Sequence, residues 1–220
     1  MLLTIGNKKY SSWSLRAWLA LRMAGVEFQE ERIPLFVEGF KERLAERSPS
    51  ALVPVLKDGD LVVHDSLAIA EYVNEKYARG RLYPADMEER ALARSVCAEM
   101  HSGFTAIRST MPMNLARRPE PSRVQPPSQA ALERELNRLT GLWEDLRRRF
   151  SARGPFLFGE PGIAEAMYLP MATRLKTYGV SLGHAPLARE YVEHLHSWEL
   201  FQPWLQDALR ETEVIAEDEA

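Results

Sequence analysis

Leu15, Trp18, Leu19 and Met23 recur at spacings of three and four. That period sets them on one face of a helix over Leu15–Ala24, and Gly25 follows as its C-terminal cap. A short apolar run, Leu2–Ile5, precedes it and reads as a strand. Val26–Pro34, with Phe28 and Ile33 among charges, predicts a second strand, and Phe36–Arg47 a short charged helix that Ser48-Pro49-Ser50 breaks. Two β-branched runs then flank Asp58-Gly59, a strong local hairpin signal. Asp65–Tyr77 follows as a helix opened by Ser66, its buried side built from Leu67, Ile69, Ala70, Tyr72, Val73 and Tyr77. The order β-α-β-α-β-β-α predicts a small α/β domain over residues 1–78.

The pattern then changes. Residues 79–86 read as a linker, and every strong period beyond them is helical. Leu92, Val96, Met100, Phe104, Ile107 and Met111 predict one helix over Glu88–Met111. Five prolines between Pro112 and Ser128 predict a loop or broken helix end. Ala130–Phe150, Gly162–Leu175, Leu187–Trp198 and Pro203–Leu209 complete an all-helical domain over 87–210. The acidic residues 211–220 read as a disordered tail.

Composition adds exclusions. Of 220 residues, 45% are hydrophobic and 27% charged, with a formal net charge of −3. That is ordinary for a globular protein and recruits neither nucleic acid nor an anionic membrane. One cysteine, Cys97, excludes an intrachain disulfide and a cysteine zinc cluster. His194 and His196, two apart on a helix, fall on different faces and make no metal pair. The start of the chain lacks a signal peptide's apolar core, and no run nears the roughly 20 residues of a membrane span. A cytoplasmic setting is expected.

The candidate chemistry begins where the first strand meets the first helix. Ser11, Ser12 and Ser14 stand at a helix N-terminus, where free N–H groups and the dipole favour an anion. One serine suffices as a cap, so the others invite a second role. Asp65-Ser66 repeats the arrangement at the third helix. Val53-Pro54 precedes a strand, and a proline entering a strand needs a positional reason.

These motifs resemble the cytosolic glutathione transferases. Tyr10-Ser11-Ser12-Trp13-Ser14-Leu15-Arg16 is similar to the zeta-class serine motif, Val53-Pro54 to the family's cis-proline, and Val63–Ile69 to its acidic-Ser-x-Ala-Ile element. Tyr168–Val180 is similar to bacterial members of that branch. The resemblance implies a thioredoxin-like N-terminal domain followed by an α-helical C-terminal domain, in a homodimer. It implies glutathione as co-substrate and no metal. Ser66 would hold the glutamyl carboxylate, Asp65 the ammonium, and Val53, beside Pro54, the cysteinyl backbone. Ser11 or Ser12, with Ser11 at the matching position, would donate to the thiolate. The zeta motif carries Cys where this chain has Trp13, and no cysteine near residues 10–14 supports redox thiol transfer. Trp13, Arg16, Met111, Met113 and Arg174 are candidates for the pocket of a small electrophile, with Tyr168 read as core or lining. The activity implied is transfer of the glutathione thiolate. Zeta-like isomerisation (of maleylacetoacetate) or dehalogenation of small acids, resting on the serine motif and on Arg16, Arg174 and Lys176, is a second reading. A non-catalytic glutathione-binding or protein-interaction module is a third. Arg174 and Lys176 also read as solvated helix residues, and Lys8 and Lys9 as solvated or reaching a glutathione carboxylate.

Overall fold

The computed structural model describes residues 1–219. Four strands, β1 (Leu2–Ile5), β2 (Gln29–Arg32), β3 (Val55–Asp58) and β4 (Leu61–His64), form one sheet in the order β2-β1-β3-β4. β2 runs parallel to β1, while β3 is antiparallel to both β1 and β4. The expected hairpin turns at Gly59-Asp60, with Gly59 at φ 61°, a conformation glycine adopts without penalty. β2 is shorter than its sequence run, because Gln29–Arg32 is polar and lies at the sheet edge.

Helices α1 (Ser12–Met23) and α3 (Ser66–Lys76) pack together beside the sheet, with α2 (Phe40–Ala45) a short segment between β2 and β3. α1 closes in a Schellman arrangement: Gly25 N–H bonds Arg22 C=O at 3.1 Å and Val26 N–H bonds Leu21 C=O at 3.1 Å. Six further helices follow among the described residues: α4 (Met87–Ser102), α5 (Thr105–Thr110), α6 (Gln129–Phe150), α7 (Ile163–Thr177), α8 (Pro186–Ser197) and α9 (Gln202–Arg210). α7 is buried along nearly its whole length and packs on α1, α4 and α8. Through α1 it joins the two halves. None of these helices is long and apolar enough to cross a membrane.

Two expectations are corrected here. The single helix over Glu88–Met111 is broken into α4 and α5. Gly103 closes so tightly on α4 that a Cβ there would lie 2.7 Å from Glu99 O, and Phe104 takes φ 55°. The apolar period runs through the break because both pieces bury the same side. The acidic segment 211–219 packs on the other half of the molecule, and position 220 of the expected disordered tail lies outside the described residues. Ile215 is buried, Ala216–Asp218 forms a 3₁₀ turn, and the Glu211 carboxylate accepts the N–H groups of Lys8 at 2.8 Å and Lys9 at 3.0 Å. Composition counts the charges of this tail but not the backbone donors that await them in the other domain.

Candidate active site

Ser11 caps α1. Its Oγ accepts the Ser14 N–H at 3.3 Å and donates to Ser14 Oγ at 2.8 Å, which in turn accepts the Gly6 N–H at 3.1 Å. The capping role anticipated for one serine therefore falls to Ser11, and Ser14 ties α1 back to the end of β1. Ser12, the first residue of α1, meets the other domain: Arg174 Nη2 on α7 donates to its Oγ at 3.3 Å. Ser11, Ser12 and Trp13 line a cavity of about 610 Å³, together with Val53, Arg108, Met113, Arg174 and Asp218.

A second cavity of about 300 Å³ adjoins it, sharing Trp13, Leu52 and Val53, and reaches the start of α3. Pro54, His64, Asp65 and Ser66 line it. The Val53–Pro54 peptide is cis. Among the described residues the backbone N–H and C=O of Val53 take no partner. Asp65, held at φ 75°, caps α3 by accepting from Leu67 N–H at 2.9 Å and Ala68 N–H at 3.1 Å. Its second oxygen meets His101 Nε2 at 3.1 Å. The Ser66 hydroxyl, fully buried, has no partner among the described residues. A buried hydroxyl left unpaired costs about 1–3 kcal/mol, and here it opens on a cavity at a helix N-terminus, where an anion satisfies both.

The cations are the less expected part. Arg174 is not a solvated helix residue. It is buried and held by Met111 O at 2.8 Å and Pro170 O at 3.0 Å as well as by Ser12. Burial, then the neighbouring Arg108 charge, pushes it down to about 10. Arg16 is buried too, but it does not line the cavity. It sits behind Trp13, its guanidinium 4.3 Å from the indole centroid, with Nε and Nη1 unpartnered among the described residues. Four residues after Ser12, it faces inward from α1. Burial, then Arg174 and Arg108, pushes it down to about 9. Arg108 stacks on the indole as well, at 4.7 Å. No carboxylate among the described residues lies within 4 Å of Arg16, Arg108 or Arg174. Arg108 and Arg174 in the wall, with Arg16 behind them and Asp218 the one carboxylate in the lining, leave this end of the cavity with an excess of positive charge.

Other candidates fall outside the cavities. Met111 packs its side chain into the core and contributes only its carbonyl, to Arg174. Tyr168 is core, donating to Val96 O at 2.9 Å. Lys176 pairs with Glu193 at 2.5 Å on the surface, and Lys8 pairs with Glu30 and Asp207. Arg108 and Asp218 were not signalled by any motif. Arg108 reaches the cavity because the break at Gly103 redirects α5, and Asp218 because the tail folds back.

The family model described as glutathione S-transferase, N-terminal domain, matches residues 10–76, and that of the C-terminal domain matches residues 129–206. Glutathione S-transferase 1 of Dianthus caryophyllus is 39% identical over 83 residues, 37% of this chain and 38% of its own length. The matched region thus spans well under half of that relative. Maleylacetoacetate isomerase of Rattus norvegicus is 26% identical over 196 residues, covering 87% of each. Among solved structures, a bacterial maleylpyruvate isomerase described as a zeta-class glutathione S-transferase is similar in fold, with a TM-score of 0.73 at 23% identity over 97% of this chain and 100% of that one. A glutathione transferase homologue from Burkholderia, with bound glutathione, gives 0.71 at 24% over 94% and 97%.

Proposed function

The chain belongs to the glutathione S-transferase family, and from that premise we propose that it binds glutathione across the two adjoining cavities and transfers its thiolate to a small electrophile. The carrying observation is the pairing of two helix N-termini on one continuous cleft, with the buried, unpartnered Ser66 hydroxyl at one end and the serine pair at the other. Ser66 and the α3 N-terminus would hold the glutamyl carboxylate. Asp65 would take the ammonium with the oxygen that now meets His101, and the free backbone groups of Val53 would pair with the cysteinyl unit. A thiol of ordinary pKa near 8.5 is mostly protonated at neutral pH. A hydroxyl donor to the charged sulfur supplies about 1.5–3 kcal/mol, or one to two units of depression. Ser11 spends its proton on Ser14, whereas Ser12 accepts from Arg174 and keeps its own proton to give. Ser12 is therefore the favoured thiolate donor and Ser11 its scaffold. The thiol proton leaves to solvent; the thiolate sulfur then forms a C–S bond, with an aryl halide expelling halide ion as its carbon–halogen bond breaks, or with an enone giving an enolate that takes a proton from solvent.

Arg108 and Arg174 face the cavity without a carboxylate partner within 4 Å among the described residues, which favours an electrophile bearing a carboxylate. The same reading carries a homodimer, supported by Leu52, 67% exposed beside the cleft. It also carries a cytoplasmic setting, where glutathione is kept reduced. Titration calorimetry with glutathione, followed by a conjugation panel of aryl halides and enones with and without a carboxylate, tests it. No glutathione binding, or binding with no turnover of any acceptor, would overturn it.

A further inference from the structure

The C-terminal segment crosses from the helical half to the serine loop. Glu211 holds the Lys8 and Lys9 N–H groups, Arg32 pairs with Glu213 at 2.7 Å, and Ile215 is buried. Asn114 Nδ2 then donates to Asp218 O at 3.4 Å, and the Tyr10 hydroxyl donates to Glu219. This strap delivers a single carboxylate, Asp218, to the lining of the larger cavity, where Arg108 and Arg174 also stand.

Resting on the transferase reading above, we propose that Asp218 is a specificity-determining residue: its carboxylate partly offsets the Arg108–Arg174 field and sets how strongly the electrophile pocket favours anions over neutral ligands. Three observations carry this. Asp218 is half-buried in the cavity wall, not free in solvent. Its position is fixed by the strap on both sides, by the buried Ile215 before it and by the Tyr10 contact after it. It makes no ion pair within 4 Å among the described residues, so its charge acts through the cavity and is not consumed by one partner. Arg174 and Asp218 do sense each other: burial pushes the Asp218 carboxyl up to about 6, and Arg174 pulls against that rise. A carboxylate in the wall competes electrostatically with one on the ligand, and at short range in a partly desolvated cavity that competition is worth about a tenfold change in affinity.

The test uses the full chain with Asp218→Asn and Asp218→Ser, and Glu217→Gln as an exposed control on the same turn. Glutathione binding is measured first. Succinate and its uncharged diamide are then titrated calorimetrically into the glutathione-saturated proteins. Both Asp218 variants are expected to bind succinate about tenfold tighter than the parent, with the diamide unchanged and Glu217→Gln like the parent. If glutathione binds normally and succinate affinity does not rise in either Asp218 variant, including the case of no succinate binding at all, the proposal is overturned while the transferase reading stands. If the parent does not bind glutathione, the transferase reading falls and takes the proposal with it. Tightening of both ligands alike also overturns it, since that reports a wider pocket and not a charge effect.

Discussion

Arg174 on α7 donates to the hydroxyl of Ser12 on α1, Nη2 to Oγ 3.3 Å, so the helical half reaches into the first turn of the other domain. Ser11, one residue earlier, is occupied within its own turn by Ser14. The two serines are thus separable by experiment. Ser12→Ala is expected to raise the pKa of the bound glutathione thiol by about one to two units, read from thiolate ultraviolet absorbance against pH. Ser11→Ala is expected to cost about 1 kcal/mol of stability as a lost cap. A normal thiol pKa in Ser12→Ala with a raised one in Ser11→Ala would reverse the assignment.

Arg108 joins the cavity from α5 and stacks on Trp13. Arg108→Gln should raise KM for an acceptor carrying a carboxylate by about tenfold, with kcat and the KM of a neutral acceptor little changed. Equal loss for both acceptors would instead point to displaced Trp13 packing.

Glu211 accepts both N–H groups of the loop that precedes the serines, with its side chain 8% exposed. Glu211→Ala leaves these two donors without their partner. Amide hydrogen exchange at Lys8 and Lys9 should accelerate, and stability should fall by about 1–3 kcal/mol. Unchanged exchange at those two amides would show that the strap does not hold the loop.

Glu165 is fully buried at the start of α7, accepting from Leu157 N–H at 2.9 Å and Gly162 N–H at 2.8 Å. Burial pushes its carboxyl up to about 7 from an ordinary 4.5, against the pull of those hydrogen bonds. Between these values the folded chain holds the proton more tightly than the unfolded chain. The Glu165 contribution is therefore most favourable below pH 4.5 and is lost as pH rises towards 7, by about 3 kcal/mol. Urea denaturation at several pH values should show this slope in the parent and its loss in Glu165→Gln. Parallel pH curves for the two proteins would sink the assignment.

Much of this molecule is readable along the chain because its local signals are strong. The period of α1 survives in the fold, as does the hairpin signalled by Asp58-Gly59, its turn falling one residue on at Gly59-Asp60. The cap residues Ser11 and Asp65 act where their chemistry sends them, and the proline of Val53-Pro54 stands beside the cleft. Short-range patterns carry such features because caps, turns and amphipathic faces are decided within a few residues. Tertiary structure decided the rest, for reasons no window of sequence contains. Arg16 and Arg174 look alike in sequence, yet one is sealed behind Trp13 while the other faces the cavity. Their fates depend on which helix packs against each. The tail reads as solvated charge until the N–H groups of Lys8 and Lys9, some two hundred residues away, give Glu211 a partner and bring Asp218 to the cleft. The sequence by itself determined the two domains and the two helix starts that a tripeptide thiol would suit. Only the packing of α7, the break at Gly103 and the strap on the loop before α1 decided which charges look into the pocket.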